Sequence, residues 1–149
     1  MKSYTDLEQS KKLAEILPVE TADMCYIKHS SSNNPSWEFN EDFPPMILGN
    51  VPINEMTVET LPCWSLAALM NLLPSEFTEK GKYSETTYKI HIRKYVLTEN
   101  VDVYQIAYGN YHWHDDGSCS WSDMINTGEK ENLIDAVFQM ICWLKENNK

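Results

Sequence analysis

Three groupings of residues in this sequence have types and spacings suited to chemistry. The first is Cys63-Trp64-Ser65. If a helix opens at Pro62, Cys63 falls in its first turn, where the helix dipole favours a thiolate. A thiolate nucleophile needs a base, and His91 or His112, both on predicted strands, are the candidates. The competing reading is packing, because free cysteine is among the most buried residue types. Packing is the preferred reading.

The second grouping is Tyr111-His112-Trp113-His114-Asp115-Asp116-Gly117-Ser118-Cys119. Its chemistry depends on hairpin register. A two-residue loop at Asp116-Gly117 pairs His114 with Cys119 and gathers His112, His114 and Cys119, a donor set that suits zinc. A three-residue loop at Asp115-Asp116-Gly117 pairs Trp113 with Cys119 and Tyr111 with Trp121, the pattern of a type I turn closed by a left-handed glycine. That register turns the histidines outward and is expected to bury the aromatics. A shift of one residue moves every side chain to the other face. The three-residue loop is preferred, since each large side chain buried contributes on the order of 1.5–3 kcal/mol. The third grouping is aromatic. Tyr104, Tyr108, Tyr111, Trp113 and Trp121 fall in one sheet region, and such residues form either a contact patch or a core.

The elements that must position these residues follow from periodicity. Thr5 and Glu8 fit a capping box, and Leu7, Leu13, Ala14 and Leu17 share one helical face up to Pro18. Met24 to Ile27 reads as a strand, residues 29–35 as an exposed loop, and residues 37–39 and 46–48 as short strands. Residues 62–74, between two prolines and almost without a polar side chain, predict a helix buried on most sides. Residues 83–125 predict antiparallel sheet, with Tyr88, Ile90 and Ile92 on a dry face and Lys89, His91 and Arg93 on a wet one. Asn132 is placed to cap a closing helix in which Leu133, Ala136, Val137, Met140, Ile141 and Leu144 keep helical spacing.

Composition bounds the function. The chain has 149 residues, a formal net charge of −10 and a single arginine, Arg93. With no basic stretch it is not expected to bind nucleic acid or an anionic membrane surface, whereas a basic protein partner remains compatible with its charge. The four cysteines show no C-x-x-C spacing, and no apolar leader opens the sequence, so reduced thiols in the cytoplasm are expected. No nucleotide-binding glycine motif or H-E-x-x-H is present, and no cofactor is expected.

The run from Tyr4-Thr5-Asp6-Leu7 to Leu17-Pro18 resembles the opening of an uncharacterised family of short cytoplasmic proteins from gut Bacteroides-type bacteria. Pro62-Cys63-Trp64-Ser65-Leu66-Ala67-Ala68-Leu69 is similar to that family's second landmark, and the segment around Asp135-Ala136 to its third; residues 80–100 depart from it. The resemblance implies a bacterial cytoplasmic protein with an accessory or defence-type role, and carries over no site residue. Cys63-Trp64-Ser65 also looks like the start of the nucleophile helix of papain-type thiol hydrolases, without the glycine-rich flank of that family.

Together these readings predict a single α+β domain over residues 1–149. It has a mainly antiparallel sheet of three to five strands, two helices on one face and the N-terminal helix at the edge. The leading functional expectation is a non-enzymatic, acidic protein-binding module of inhibitor or accessory type. The alternatives are a thiol-dependent hydrolase built on Cys63 and a metal-binding protein built on His112 and His114.

Overall fold

The computed structural model describes residues 2–31, 34–50, 59–98 and 101–149. They form an α+β protein with helices α1 (Leu7–Ile16), α2 (Leu66–Leu72) and α3 (Leu133–Glu146). The strands are β1 (Met24–Ile27), β2 (His29–Ser31), β3 (Asn34–Glu38), β4 (Met46–Ile47), β5 (Thr60–Cys63), β6 (Glu76–Lys80), β7 (Glu85–Thr98), β8 (Val101–Trp113) and β9 (Cys119–Asn126). Among these residues no helix is long and apolar enough to cross a membrane. The chain divides into two compact units, Met1–Met70 and Asn71–Lys149, and α2 spans the division.

In the first unit, β1 is the centre of an antiparallel sheet ordered β4-β1-β5. The capping box of α1 lies one residue later than the sequence suggests: Asp6 accepts from the Gln9 amide at 2.8 Å, and the Gln9 side chain accepts from the Asp6 amide. Thr5 is diverted from capping by tertiary structure. Its amide donates to Trp64 O, and its buried hydroxyl meets Ser10 Oγ at 2.7 Å and the Trp64 amide at 3.2 Å. The Tyr26 hydroxyl donates to Thr5 O. α1 packs beside β5.

The predicted helix over 62–74 is corrected. Pro62 sits in β5 opposite Cys25, and among the described residues β5 is an edge strand, where a residue without an N–H is tolerated. The helix starts later, after Ser65, whose Oγ accepts from the Ala68 amide while Asp23 receives both the Ser65 amide and hydroxyl. Two turns are too short to be a central core element: only Leu69 is fully buried and Ala67 is exposed. The expected loop over 29–35 is also revised, because β2 and β3 pair as an antiparallel hairpin there; Ser32 and Asn33 lie outside the described residues.

The second unit is a four-stranded antiparallel meander, β6-β7-β8-β9, with α3 packed on β8. α3 keeps the expected spacing at Ala136, Val137, Met140, Ile141 and Leu144, all buried, but Ile134 is buried in place of the expected Leu133, which is only half-buried. The ring of Phe77 lies 5.0 Å from Tyr108, 5.5 Å from Tyr88 and 6.3 Å from Trp143 of α3. α3 therefore covers the face that carries Tyr88, Tyr108 and, by alternation, Tyr104 and Ile106. The wet and dry faces of β7 are less clean than predicted. Ile92 is exposed, whereas Arg93 is held down on the opposite face.

Candidate functional site

The β8–β9 turn sets the geometry of the site. His114 N donates to Ser118 O at 2.9 Å, Gly117 N donates to His114 O at 3.0 Å, and Gly117 has φ +80°. A side chain there would be strained, so glycine closes the turn. Asp116 Oδ1 accepts the Ser118 hydroxyl at 2.6 Å and the Ser118 amide at 2.9 Å, which hold its carboxyl below the ordinary range. The resulting register pairs Trp113 with Cys119, His112 with Ser120 and Tyr111 with Trp121. This is the three-residue loop.

The burial expected from that register does not follow. Trp113 is 75% exposed and Tyr111 57% exposed, because α3 lies on the other face of the sheet. Of the five aromatics taken as one group, Tyr104 and Tyr108 are core residues on the α3 face. Tyr111, Trp113 and the half-buried Trp121 share the opposite face.

That opposite face is built around Trp121. Its ring lies over Gly109, so a Cβ at residue 109 would come within 2.8 Å of the indole. Tyr111 and His91 stack edge-on against it, each with ring centroids 5.0 Å away. Its Nε1 donates to Asp123 Oδ1 at 2.5 Å. Asp123 also receives two bonds from Arg93, at 2.6 and 2.9 Å, and one from Asn126 Nδ2. Arg93 further donates to Gln105 Oε1, which accepts the Tyr95 hydroxyl as well. The only arginine in the chain thus fixes an indole through a carboxylate. Arg93, Asp123, Gln105 and Tyr95 were not singled out as site residues from the sequence. Their proximity needs the β7–β8–β9 register, and the isolated arginine was the one available signal.

Arg93 beside Asp123 holds the carboxyl below its ordinary range, with the Trp121 indole adding to the effect, while burial opposes it. A depressed folded-state pKa contributes stability that is present above the unfolded value, near 3.8, and is lost as pH falls through the folded value. Asp123→Asn is therefore expected to cost about 1 kcal/mol at neutral pH and to flatten the acid limb of the stability curve below about pH 4. Urea unfolding at a series of pH values measures both effects; an unchanged acid limb would remove the network from the account.

The remaining candidates separate. Cys63 ends a strand and does not open a helix. It is fully buried, and its thiol meets Thr5 Oγ1 at 3.4 Å and Thr5 O at 3.5 Å. Burial pushes the thiol pKa up, opposite to what a nucleophile needs. His91 packs on Trp121 and His112 is exposed on the hairpin, while the hydrogen bonds described for Cys63 go to Thr5. Cys25 and Cys142 are likewise buried, and Cys119 is exposed. A thiol reagent at neutral pH is expected to modify one cysteine of the native protein quickly and the other three only on unfolding. Fast loss of the Cys63 thiol, located by mass spectrometry, would contradict this.

The metal grouping is also divided by the register. Cys119 stands opposite Trp113, on the face away from His112, while His114 Nε2 pairs with Ser120 Oγ at 2.9 Å. Among the described residues no three His, Cys, Asp or Glu side chains are placed to hold a metal ion. The chain matches no protein-family model, no curated protein and no solved structure.

Proposed function

We propose that this chain is a non-enzymatic, acidic protein-binding module of inhibitor or accessory type, which engages a basic protein through the Tyr111–Trp113–Trp121 face. The supporting observation is an exposed Trp113 and Tyr111 beside an indole pinned by stacking and by Asp123. Trp and Tyr anchors that are already ordered lose little conformational freedom on binding, and they dominate interface energetics. The formal charge of −10 favours encounter with a positively charged surface. Four free thiols are in keeping with a cytoplasmic setting.

The test places a photo-crosslinking amino acid at residue 113 and, separately, at the exposed Glu15 of α1, in cells of the native host. The expected result is one discrete basic adduct from residue 113 and none from residue 15. Reconstituted from purified components, the same pair should bind about tenfold or more weakly with Trp113→Ala, and more weakly as salt rises. Equal labelling at both positions, or an interaction indifferent to Trp113→Ala, would overturn the reading.

A further inference from the structure

The two edges of the second unit's sheet are not equally guarded. β6 is short and carries Glu76, Glu79 and Lys80, with Lys149 paired to Glu79. Charged side chains on a short strand are the usual protection against pairing with another chain. β9 differs. Its stretch Cys119-Ser120-Trp121-Ser122-Asp123 has no lysine, arginine or proline, and its one charge is turned across the sheet face into Arg93. Among the described residues β9 has one neighbouring strand, β8.

The direction of its backbone groups follows from the turn. His114 and Ser118 form the closing hydrogen-bonded pair. Bonded and non-bonded pairs alternate along an antiparallel ladder, so Ser120 and Ser122 bond to β8. The N–H and C=O groups of Cys119, Trp121 and Asp123 then point to the open edge. Apart from the β8–β9 ladder, no backbone bond among the described residues involves these three. The register breaks between Tyr108 and Gly109, which limits regular pairing to the stretch before Met124.

We infer that the open edge of β9 takes an extended, lysine- or arginine-bearing segment of a protein partner as a fifth strand. The inference rests on the binding reading above and names its partner chemistry. Carboxylates bound the edge at both ends: exposed Asp115 and Asp116 at the turn, exposed Glu129 and Glu131 beyond the strand. Alternate residues of an incoming strand come beside Trp121 and the neighbouring Trp113 and Tyr111, where a cationic side chain gains both its stem contacts and the ring faces. The main chain supplies affinity and the alternate side chains supply selectivity. A second copy of this chain is disfavoured as occupant. Antiparallel pairing of two β9 edges sets the turn carboxylates of one copy toward Glu129 and Glu131 of the other, and like charges repel.

The probe is the capped peptide Lys-Thr-Lys-Val-Lys-Thr-Lys, with its Glu-for-Lys counterpart and two copies backbone-methylated at alternate amides, titrated against the full chain by tryptophan fluorescence. The expected Kd is on the order of 10–100 µM, with no binding by the acidic peptide and about tenfold loss for one methylated copy but not the other. Cys119→Pro removes an outward N–H without breaking the β8 ladder, and is expected to weaken the parent peptide about tenfold at unchanged Tm. No binding at about 1 mM, equal binding by both methylated copies and the parent, or a homodimer that Cys119→Pro dissolves would each overturn strand addition. The methylated peptides decide the matter if Cys119→Pro fails to fold. If residue 113 crosslinks a partner whose affinity ignores Cys119→Pro, strand addition fails while the binding module stands; if no partner depends on Trp113, the module reading itself fails.

Discussion

Gly109→Ala is expected to destabilise the protein by about 3 kcal/mol, near the top of the usual range for overpacking. The added methyl would lie 2.2 Å from the Ser122 carbonyl and 2.8–2.9 Å from two atoms of the Trp121 indole. A flexible side chain could yield at little cost, but a carbonyl in a paired strand cannot move without breaking ladder bonds. Relief therefore comes from parting β8 and β9, or from lifting Trp121 off the sheet and breaking its bond to Asp123. Urea unfolding followed by circular dichroism measures the stability loss. The indole N–H resonance of Trp121 reports the local displacement. Gly49→Ala is the matched control, since among the described residues nothing lies within 4 Å of its added methyl, and its effect should stay within about 0.5 kcal/mol. Similar midpoints for the two variants would mean that the close seating of Trp121 on the sheet is wrong.

Trp64→Ala is expected to cost about 3–5 kcal/mol, the range for emptying a buried aromatic site. Trp64 is fully buried, its Nε1 donates to Thr21 Oγ1 at 3.0 Å, and its main chain is tied to Thr5 on both sides. Small domains have only about 5–15 kcal/mol in total, so this one truncation threatens the fold of the first unit. Trp64→Phe should cost less, about 1–2 kcal/mol, because most of the volume stays and the Thr21 hydroxyl keeps its own bond to Pro18 O. The two unfolding midpoints, compared with wild type, test the order Ala below Phe below wild type. Equal midpoints for the alanine and phenylalanine variants would show that the site does not depend on ring volume.

What the sequence reveals and conceals here has physical causes. The closing helix was legible because its apolar spacing runs without interruption and its outcome is set by one face. The β8–β9 register was legible because Asp115-Asp116-Gly117 offers one well-matched turn, with glycine where φ is positive. Pro62 was misread because a missing N–H is equally harmless at a helix start and on an edge strand; only the partner Cys25 decides between them. The first capping box was one residue off because Thr5–Glu8 and Asp6–Gln9 both satisfy the local pattern, and the bond between Thr5 and Trp64 selects the second.

Period-two alternation placed Tyr111, Trp113 and Trp121 together, as found. It carried no information on which face α3 would cover, so the expected burial was inverted. The Arg93–Asp123 pair lay beyond local reasoning altogether, since it joins β7 to β9 across an intervening strand.

The contrast between the two sheet orders bears on how fast each part assembles. In β6-β7-β8-β9 every neighbour in space is a neighbour in sequence, so the ladder can grow by successive short closures. In β4-β1-β5 the central strand must wait for Pro62 to return to Cys25 across a long excursion, and Asp23 must find Ser65 over the same interval. Distant pairings slow the crossing of the barrier. Amide protection in a pulse-labelled refolding experiment should therefore rise first along β7 and β8 and later along β1 and β5.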